Sequence, residues 1–465
     1  SRFTSDANGT TTKLSGCVGG SGAGDDLCGP WLSGPLCTLC NTTTGRYYAA
    51  DEYACKECDL TPSKSAFTIV AVLSLLSLVD VSGQSGNGVA MDVGALLAPL
   101  CALVSQEGNG LRVLRLGGNL SGKQGGDLGR MAALNAGYDV RSSGVTLDRF
   151  CGSGITTVNL AAAQIMSGME DLVVAGGTEM MSYHGQTGDP TKPPMIDSGN
   201  LDLRALHPQS QQGVCADAIA TLEGIDRDAV DNLAMVSQAR AARAIAEGRF
   251  DKSLITVKNP DGSVALDHEE FPRPQTTREG LSELKTVFSV VRDVPIDEQG
   301  TTYGALIQQK YPEITAFNHI HHAGNSSGVV DGAAALLLAS ESYMTKYGMS
   351  PRARIVATAN MGDCPTLMLN APVPAADKVL AKAGLTKDDI DVWEINEAFS
   401  VVAERFIRRL DLDREKVNIN GGAMALGHPI GATGSILVGT ALDELERQHG
   451  RYALITMCAA GGMAP

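Results

Sequence analysis

Four polar side chains, three of them capable of nucleophilic or acid–base chemistry, stand where predicted strands end. Cys151 follows the segment GVTLDRF, Asn396 follows DIDVWEI, and Cys458 follows RYALITM. His428 lies in the glycine-rich turn after a further predicted strand, KVNI. Because ligands of open α/β sheets bind outside the carboxyl ends of the strands, the pattern predicts that these four residues share one site.

Cys151 is the candidate nucleophile. It is predicted to open a helix, and a helix N-terminus stabilises an anion and so favours thiolate over thiol. The glycines of Gly152-Ser153-Gly154 allow a sharp turn that leaves the sulfur accessible. An arbitrary free cysteine is more often a core residue, but the strand–turn–helix context favours a reactive one here.

His428 and Cys458 are candidates for proton transfer. Pro429 stiffens the turn around His428, so this histidine is placed to take a proton from Cys151 and to donate to a developing oxyanion. For Cys458 the residues leave three interpretations open, namely core packing, a redox pair with Cys151, or a thiolate base. The glycines that surround His428 are Gly421, Gly422, Gly427, Gly431 and Gly434.

Two strand–turn–helix–strand units must position these side chains, one at each end of the α/β region. In the first, Ile155, Val158, Ala162 and Ile165 recur at helical spacing, and Gly168 is a natural C-terminal cap. The second runs from KVNI through a glycine-rich turn to a helix that starts at TGSILVG and a strand in RYALITM. This repetition predicts a duplicated α/β fold, with an insertion at about 182–328 that includes an exposed helix in AVDNLAMVSQARAARAIAEGRF.

The charge of the chain excludes one class of partner. The 465 residues carry a formal net charge of -15, which makes the chain a poor binder of nucleic acid. Any anionic ligand must therefore be held by local donors. The longest apolar run, AFTIVAVLSLLSLV, falls short of the ~20 residues of a spanning helix. A buried strand and turn is the favoured interpretation, and a short membrane segment is the alternative.

The N-terminal segment 1–64 differs from the rest. It contains possible glycosylation sites at Asn8 and Asn41, and its cysteines favour an extracellular disulfide module over a zinc site. The remaining five cysteines are scattered, as isolated thiols in a reducing compartment are. The chain therefore has a composite character. The clustered cysteines are Cys17, Cys28, Cys37, Cys40, Cys55 and Cys58.

Five blocks from about residue 86 to Pro465 together resemble the thiolase family. RFCGSGITTVNLAAAQIMSGMEDLVVAGGTEMMS resembles the segment around the acyl-accepting cysteine. AGNSSGVVDGAAALLLAS, NEAF, NINGGAMALGHPIGATGS and CAAGGM are similar to four further family blocks, in the family's order. The resemblance implies reversible Claisen condensation of acetyl-CoA or thiolytic cleavage of a 3-ketoacyl-CoA through an acyl-cysteine.

The resemblance also implies residue roles. Cys151 would carry the acyl group, His428 would activate it, and Asn396 would hold a water that completes an oxyanion hole. Cys458 would be the acid/base at the α-carbon of acetyl-CoA, and backbone N–H groups near Cys151 and Ala460 would form a second oxyanion hole. Ser327 and Arg273 match positions that contact coenzyme A, although ordinary loop polarity explains them almost as well.

The fold implied by the resemblance has two similar βα halves in an αβαβα layered arrangement, with an inserted loop domain. We place the N-terminal half at 65–181, the loop domain at 182–328 and the C-terminal half at 329–465. The family is generally dimeric or tetrameric. The reaction requires no metal or redox cofactor, with coenzyme A as substrate or product. The catalytic thiols suggest the cytoplasm or an organelle matrix, whereas the N-terminal segment suggests the reverse.

The sequence departs from the family pattern in four places. Asp148 stands where the family usually has Asn, and Ala460 where it often has Gly, although the backbone N–H survives that change. The first strand with its Arg-Thr-Pro segment is not recognisable, and AFTIVAV at 66–72 is a substitute for it. Relatives also add an apolar strand after the position of Pro465. These departures suggest a truncated or chimeric sequence.

Two alternatives compete with an active thiolase. A ketosynthase-type condensing enzyme also uses a cysteine, but pairs it with two histidines or with histidine and asparagine, and Cys458 argues against it. The other alternative is an inactive thiolase-like passenger on a cysteine-rich secreted or membrane-tethered module, suggested by the segment 1–64.

Overall fold

The computed structural model describes residues 126–182, 196–197, 199–259 and 261–465. Nearer the N-terminus it describes the backbone of strands β1 to β8. The chain divides into two compact units, Ser1–Phe67 and Thr68–Pro465. The predicted disulfide module and the substitute strand at 66–72 lie outside the residues whose side chains are described.

The first unit contains three antiparallel strand pairs. They are β1 (Arg2–Ser5) with β2 (Thr11–Leu14), β3 (Leu32–Ser33) with β4 (Leu39–Cys40), and β5 (Arg46–Ala49) with β6 (Ala54–Glu57).

The main sheet of the second unit has the order β7–β13–β10–β8–β9. Its strands β8, β9 and β10 are parallel, whereas β13 runs antiparallel to both β10 and β7. Gly176 of β10 stands opposite Ala335 of β13. These strands are β7 (Ser77–Val79), β8 (Val113–Gly117), β9 (Ser143–Leu147), β10 (Leu172–Met180) and β13 (Asp331–Ala339).

The second unit also has three short strand pairs. They are β11 (Val257–Lys258) with β12 (Val264–Leu266), β14 (Met361–Gly362) with β17 (Met463–Ala464), and the parallel pair β15 (Val392–Ile395) with β16 (Ala453–Thr456).

The helices lie between and around these strands. They are α1 (Leu128–Asn135), α2 (Ser153–Met166), α3 (Leu201–Leu206), α4 (Gln212–Glu223), α5 (Arg227–Ala246), α6 (Arg278–Ser282), α7 (Phe288–Val291), α8 (Tyr303–Lys310), α9 (Glu341–Tyr347), α10 (Pro372–Ala383), α11 (Ser400–Leu410), α12 (Ala423–Leu426) and α13 (Ile430–Gln448), with 3₁₀ turns at Lys387–Asp389 and Arg414–Lys416. In the part of the chain that the structure describes, no helix is long and apolar enough to cross a membrane.

Strand β10 is covered on both faces at its start, which explains the apolar run LVVA at 172–175. Leu172 and Val174 pack with residues of α1, and the alternate residues Val173 and Ala175 pack with residues of α2 and α13. Because side chains of a strand alternate between faces, each set serves one layer of helices. The first predicted strand–turn–helix–strand unit is therefore present as β9–α2–β10, and Gly168 adopts the left-handed backbone (φ 73°) that follows a helix end.

The predicted strand KVNI is wrong. Only Val417 makes a strand-like bridge, to Trp393, and Asn418 has a left-handed backbone with φ 49°. The physical reason is the Asn418 side chain, which accepts the Ile395 N–H and donates to the Ile395 carbonyl, both at 2.9 Å. A side-chain amide thus replaces the main-chain ladder of a strand.

Two helix predictions also need correction. Helix α13 begins at Ile430, ahead of its predicted start at Thr433, so Gly431 and Gly434 lie inside the helix. A Cβ at Gly434 would stand 2.3 Å from the Ile155 nitrogen, so the glycine permits close helix packing. Helix α5 is present, but it is not simply exposed, since Val230, Ala234, Ala241 and Ala244 on one face are fully buried.

Candidate active site

A sharp turn after β9 presents Cys151. Phe150 adopts a left-handed backbone with φ 51°, which costs roughly 1–3 kcal/mol in a residue other than glycine. Local hydrogen bonds hold it there. The Phe150 N–H donates to Asp148 Oδ1 at 2.7 Å, the Arg149 N–H donates to Ser153 Oγ at 2.9 Å, and that hydroxyl donates to the Phe150 carbonyl at 2.7 Å. The turn therefore fixes Cys151 just ahead of α2.

The environment of Cys151 favours the neutral thiol. The residue is 5% exposed, and burial raises its pKa to about 12. The carboxylates of Glu179 and Asp148 add to this rise, while the cysteine's own N–H and the Gln212 side chain oppose it by hydrogen bonding. Burial thus opposes the thiolate-stabilising effect that the sequence predicts for the helix N-terminus. A base must take the proton.

His428 has the protonation state of such a base. Its Nδ1 lies 2.6 Å from Thr433 Oγ1, and this hydroxyl donates to the Pro429 carbonyl at 2.9 Å. The hydroxyl therefore accepts from His428 Nδ1–H, which leaves Nε2 without a proton. Nε2 lies 3.3 Å from Asn396 Nδ2. Burial lowers the pKa of His428 to about 4, so the ring is neutral at pH 7.

Asn396 directly follows β15 and is fully buried. Its main-chain N–H donates to the Thr456 carbonyl at the end of β16, at 3.2 Å. Its side-chain Oδ1 has no hydrogen-bond partner among the residues that the structure describes. Buried polar atoms are almost always paired, so an orphaned acceptor beside His428 marks a place that suits a water or a substrate donor.

Cys458 lies in the loop after β16, close to Cys151. Burial raises its pKa far above the usual range, and the charge of Cys151 raises it further. Met457 packs in one apolar cluster with Cys151, and a Cβ at Gly152 would stand 3.3 Å from the Cβ of Ala459. The loop that carries Cys458 therefore contacts the turn that carries Cys151.

Glycines allow the start of α13 to pack closely against the start of α2 and against β10. A Cβ at Gly154 would stand 2.6 Å from the Ser435 nitrogen, and one at Gly177 would stand 1.9 Å from the Gly431 carbonyl oxygen. The Ser435 hydroxyl donates to the Gly154 carbonyl at 3.1 Å. Any side chain at these glycines would separate the turns of Cys151 and His428.

The loop after Cys458 presents the main chain of Ala460. Ala459 and Met463 exchange hydrogen bonds of 2.7 and 3.2 Å, and Gly461 and Gly462 between them have φ of 80° and 78°. The Ala460 N–H finds no protein acceptor within the described ranges. It is therefore a free donor beside Cys458.

Ser327 and Arg273 both lie near Gly328, the residue whose main chain holds His428. The Ser327 N–H donates to the Ala398 carbonyl at 3.0 Å. The exposed Arg273 guanidinium stacks on Phe271 at 5.0 Å from the ring centroid, and this ring presses on Gly328, whose would-be Cβ is 2.1 Å from the ring. The Gly328 carbonyl in turn accepts the His428 N–H at 2.9 Å.

Sequence reasoning missed two residues. Glu397 is fully buried and accepts from the Ser237 hydroxyl at 2.7 Å, the Asn418 amide at 2.8 Å and the Met424 N–H at 3.2 Å. Its place directly after Asn396 was an available signal. Gln212, whose side chain lowers the pKa of the Cys151 thiol, lies in the stretch 182–328, where the sequence carried no pattern that pointed to it.

Comparison with known proteins agrees with this fold. Residues 108–294 match the family model of the thiolase N-terminal domain, and residues 349–465 match that of the thiolase C-terminal domain. A β-ketoadipyl-CoA thiolase of Acinetobacter baylyi is 38% identical over 361 residues, which cover 74% of this chain and 83% of the relative. An acetyl-CoA acetyltransferase of Thiocystis violacea is 36% identical over 361 residues, or 75% of this chain and 84% of the relative.

A solved structure gives the same result. Human mitochondrial 3-ketoacyl-CoA thiolase in complex with CoA superposes with a TM-score of 0.66 at 30% identity, covering 80% of this chain and 89% of that one. The fold and these relatives define an acyltransferase of the α/β class.

The chain belongs to the thiolase family. The predicted fold class and the predicted acyl-CoA acyltransferase reaction are thereby confirmed.

Proposed function

We propose that Cys151, His428, Asn396 and Cys458 together catalyse the thiolase reaction of this chain. The observation that carries the proposal is the tautomer of His428. Its Nδ1–H is held by Thr433, so the unprotonated Nε2 faces Asn396 at 3.3 Å, and Ile430, two residues further along the chain, packs against the cluster that contains Cys151.

The first half-reaction transfers the acyl group to Cys151. His428 Nε2 takes the thiol proton, and the thiolate attacks the 3-keto carbonyl of a 3-ketoacyl-CoA. The protonated Nε2–H and a water held by Asn396 Oδ1 then stabilise the tetrahedral oxyanion. When the C2–C3 bond breaks, the acyl group stays on sulfur and the electron pair leaves as the enolate of acetyl-CoA.

Cys458 completes this half-reaction as the acid. Its thiol gives a proton to the α-carbon of the enolate, so acetyl-CoA leaves and Cys458 becomes a thiolate. Burial holds the pKa of Cys458 high, which makes its thiolate strongly basic. The free N–H of Ala460 and the N–H of Cys151 supply the second oxyanion hole, for the thioester oxygen of the enolate.

The second half-reaction restores the enzyme. The thiol of coenzyme A gives its proton to the Cys458 thiolate and attacks the acyl-cysteine. The shortened acyl-CoA leaves, and the Cys151 thiolate takes its proton back from His428. In the synthetic direction the same groups act in reverse, with Cys458 removing the α-proton of acetyl-CoA. All the required nucleophile, acid–base and donor groups are side chains or main chain, so we propose that no cofactor takes part.

Ser327 and Arg273 are proposed to contact coenzyme A. Both lie near Gly328, and Arg273 supplies an exposed guanidinium of the kind that binds phosphate. A local cation is needed because the chain as a whole carries a net charge of -15. We also propose that the protein forms a homodimer or homotetramer and acts in the cytoplasm or an organelle matrix, where thiols stay reduced.

A thiolysis assay tests the proposal. Acetoacetyl-CoA and free CoA are supplied to the parent protein, to Cys151→Ser and to Cys364→Ser, which changes a free thiol outside the site. We expect activity in the parent and in Cys364→Ser and its collapse in Cys151→Ser. Equal activity in the parent and Cys151→Ser would overturn the proposal.

The inactive-passenger alternative has a separate test. Disulfide mapping and glycan analysis of the segment 1–64 decide whether its cysteines are oxidised and its asparagines modified. A folded parent without thiolysis activity, together with a disulfide-bonded and glycosylated segment, would favour the passenger. An active parent protein would rule out the inactive-passenger alternative.

A further inference from the structure

A histidine-rich segment, FNHIHHAGN at 317–325, is held by acidic residues of two helices. Asp217 of α4 lies against Nδ1 of the first two histidines, at 2.6 and 2.7 Å. Asp231 of α5 lies 2.8 Å from Nε2 of the third, His322. All of these contacts are buried or partly buried. The segment is therefore anchored to both helices through its side chains.

The tautomer of His322 follows from its two contacts. Its Nδ1 accepts the main-chain N–H of Gly324 at 3.0 Å, and a main-chain N–H can only donate. The proton of the neutral ring is therefore on Nε2, which donates to Oδ1 of Asp231. His322 and Asp231 are both buried, so the ring joins a tight turn of the main chain to a carboxylate on α5 with little competition from water.

Asn325 ties the same carboxylate to the rest of the turn. Its Oδ1 accepts the His322 N–H at 2.9 Å, and its Nδ2 donates to Asp231 Oδ1 at 2.7 Å and to the Ile320 carbonyl at 3.0 Å. The two side-chain donors converge on one oxygen and so lie 3.0 Å apart. Arg227 donates to the other oxygen of the carboxylate at 2.6 Å. Because the carboxylate is buried, loss of any of these donors leaves it short of hydrogen bonds.

The main chain after this turn supports two parts of the proposed catalytic site. Residues 325–327 run antiparallel beside 398–400, the stretch that follows Asn396, with hydrogen bonds of 3.0 Å at both ends. The carbonyl of the next residue, Gly328, accepts the His428 N–H at 2.9 Å. The turn therefore fixes the register of the main chain that supports both of these catalytic candidates.

We propose that His322 is a positioning residue of the thiolase reaction, because its bond to Asp231 anchors the main chain that holds His428. The inference rests on the proposed roles of Cys151 and His428. Helix α5 is a firm support for this anchor, since it is 20 residues long and one of its faces is buried. Proton transfer depends steeply on geometry, and a misplacement of about 1 Å can cost roughly a hundredfold in rate.

Two substitutions of His322 separate its two hydrogen bonds. In His322→Gln the amide nitrogen replaces the ring Nε2 and still reaches Asp231, but the acceptor for the Gly324 N–H is lost. In His322→Asn the side-chain oxygen replaces Nδ1 and keeps the contact with Gly324, but no donor reaches Asp231. His268→Asn is the matched control, since this histidine also pairs with an aspartate but is exposed.

For each protein we would measure kcat and KM for acetoacetyl-CoA thiolysis, the rate of Cys151 alkylation by iodoacetamide at neutral pH, and the melting temperature. Alkylation needs the base but no bound coenzyme A, so it separates a displaced His428 from a weakened substrate contact. We expect His322→Asn to lose roughly tenfold to a hundredfold in kcat and in alkylation rate, the range for a hydrogen bond to a charged group, with KM changed less than about threefold. His322→Gln should stay within about threefold of the parent, and His268→Asn should match it.

Equal kcat in folded His322→Asn and His322→Gln would overturn the inference, because the bond to Asp231 would then not set the position of the base. A lower kcat with unchanged alkylation would also overturn it, since only the substrate contact would be affected. If His322→Asn melts below the assay temperature, Asp231→Ser removes the acceptor from the other side of the pair and should show the same losses. Failure of the proposed function is distinct, because Cys151→Ser would then retain thiolysis activity.

Discussion

The two turns that carry the catalytic side chains are built in different ways. The turn of Cys151 is short, and the side chains of Asp148 and Ser153 within it hold its strained residue Phe150. The connection that leads to His428 runs from Val417 to the start of α13 and is held largely from outside.

The outside support of the His428 connection comes from three parts of the chain. Glu397 follows β15, Ser237 belongs to α5, and Ile395 of β15 pairs through its main chain with Asn418 of the connection. All three are buried. The comparison teaches that local sequence positions the nucleophile, whereas a tertiary network of buried polar groups positions the base.

The largest expected effect comes from removing the base itself. His428→Asn removes the ring nitrogen that accepts the thiol proton, and general-base catalysis contributes about 10²–10⁴-fold. We expect kcat of thiolysis to fall by that range with the melting temperature little lowered. Thr433→Val, which removes only the acceptor for Nδ1–H, should lose less, because the ring stays and only its tautomer is released. Equal losses in both variants would show that the tautomer, not the base, limits the rate.

A smaller effect should follow from weakening the outside support. Glu397→Gln keeps the shape but puts an NH₂ group where donors converge, so we expect a destabilisation of about 1–3 kcal/mol and a several-fold loss of kcat. Glu394→Gln is the matched control. Burial raises the pKa of Glu394 well above its usual value, and neither of its oxygens has a partner within the described ranges.

We therefore expect Glu394→Gln to leave the melting temperature unchanged or raised. If Glu397→Gln were as stable and active as Glu394→Gln, the His428 connection would not depend on this network, and the contrast between the two turns would fail.

The pH dependence of stability should separate the two turns. Burial lowers the pKa of His428 from 6.5 to about 4, so its contribution is complete above pH 6.5 and is lost as pH falls towards 4, by roughly 3 kcal/mol. Burial raises the pKa of Cys151 from 9.0 to about 12, so its contribution is complete below pH 9 and is lost at higher pH. The free energy of unfolding in urea should therefore depend less on pH below 6.5 in His428→Asn than in the parent. In Cys151→Ser it should depend less on pH above 9. If the stability of His428→Asn depended on acid pH as strongly as that of the parent, this assignment would be contradicted.

The smallest expected effect is at Asp148. An asparagine keeps an oxygen for the Phe150 N–H, so the turn should survive, while the loss of a negative charge lowers the pKa of Cys151. We expect Asp148→Asn to alkylate at Cys151 a few times faster at neutral pH, with an unchanged melting temperature. Slower alkylation would indicate that the carboxylate supports the turn in a way that an amide does not.

The sequence predicted best where local pattern decides the structure. The turn at Cys151, the helix after it and the apolar strand β10 follow from spacing and glycine placement alone. Prediction failed at KVNI, because the alternation of a strand is present but the Asn418 side chain takes over the hydrogen bonds of the strand. The contact of Glu397 with Ser237 could not be predicted, although the place of Glu397 directly after Asn396 was a signal, since Ser237 lies far away along the chain.

The central claim is that Cys151 carries the acyl group and Cys458 moves the proton. Peptide mass spectrometry after incubation with acetyl-CoA tests it directly, with Cys458→Ala and Cys151→Ser beside the parent. We predict an acetyl group on Cys151 in the parent and in Cys458→Ala, loss of α-proton exchange in Cys458→Ala, and no acetylation in Cys151→Ser. Acetyl groups on Cys458 in any of these proteins, or undiminished exchange in Cys458→Ala, would contradict the account.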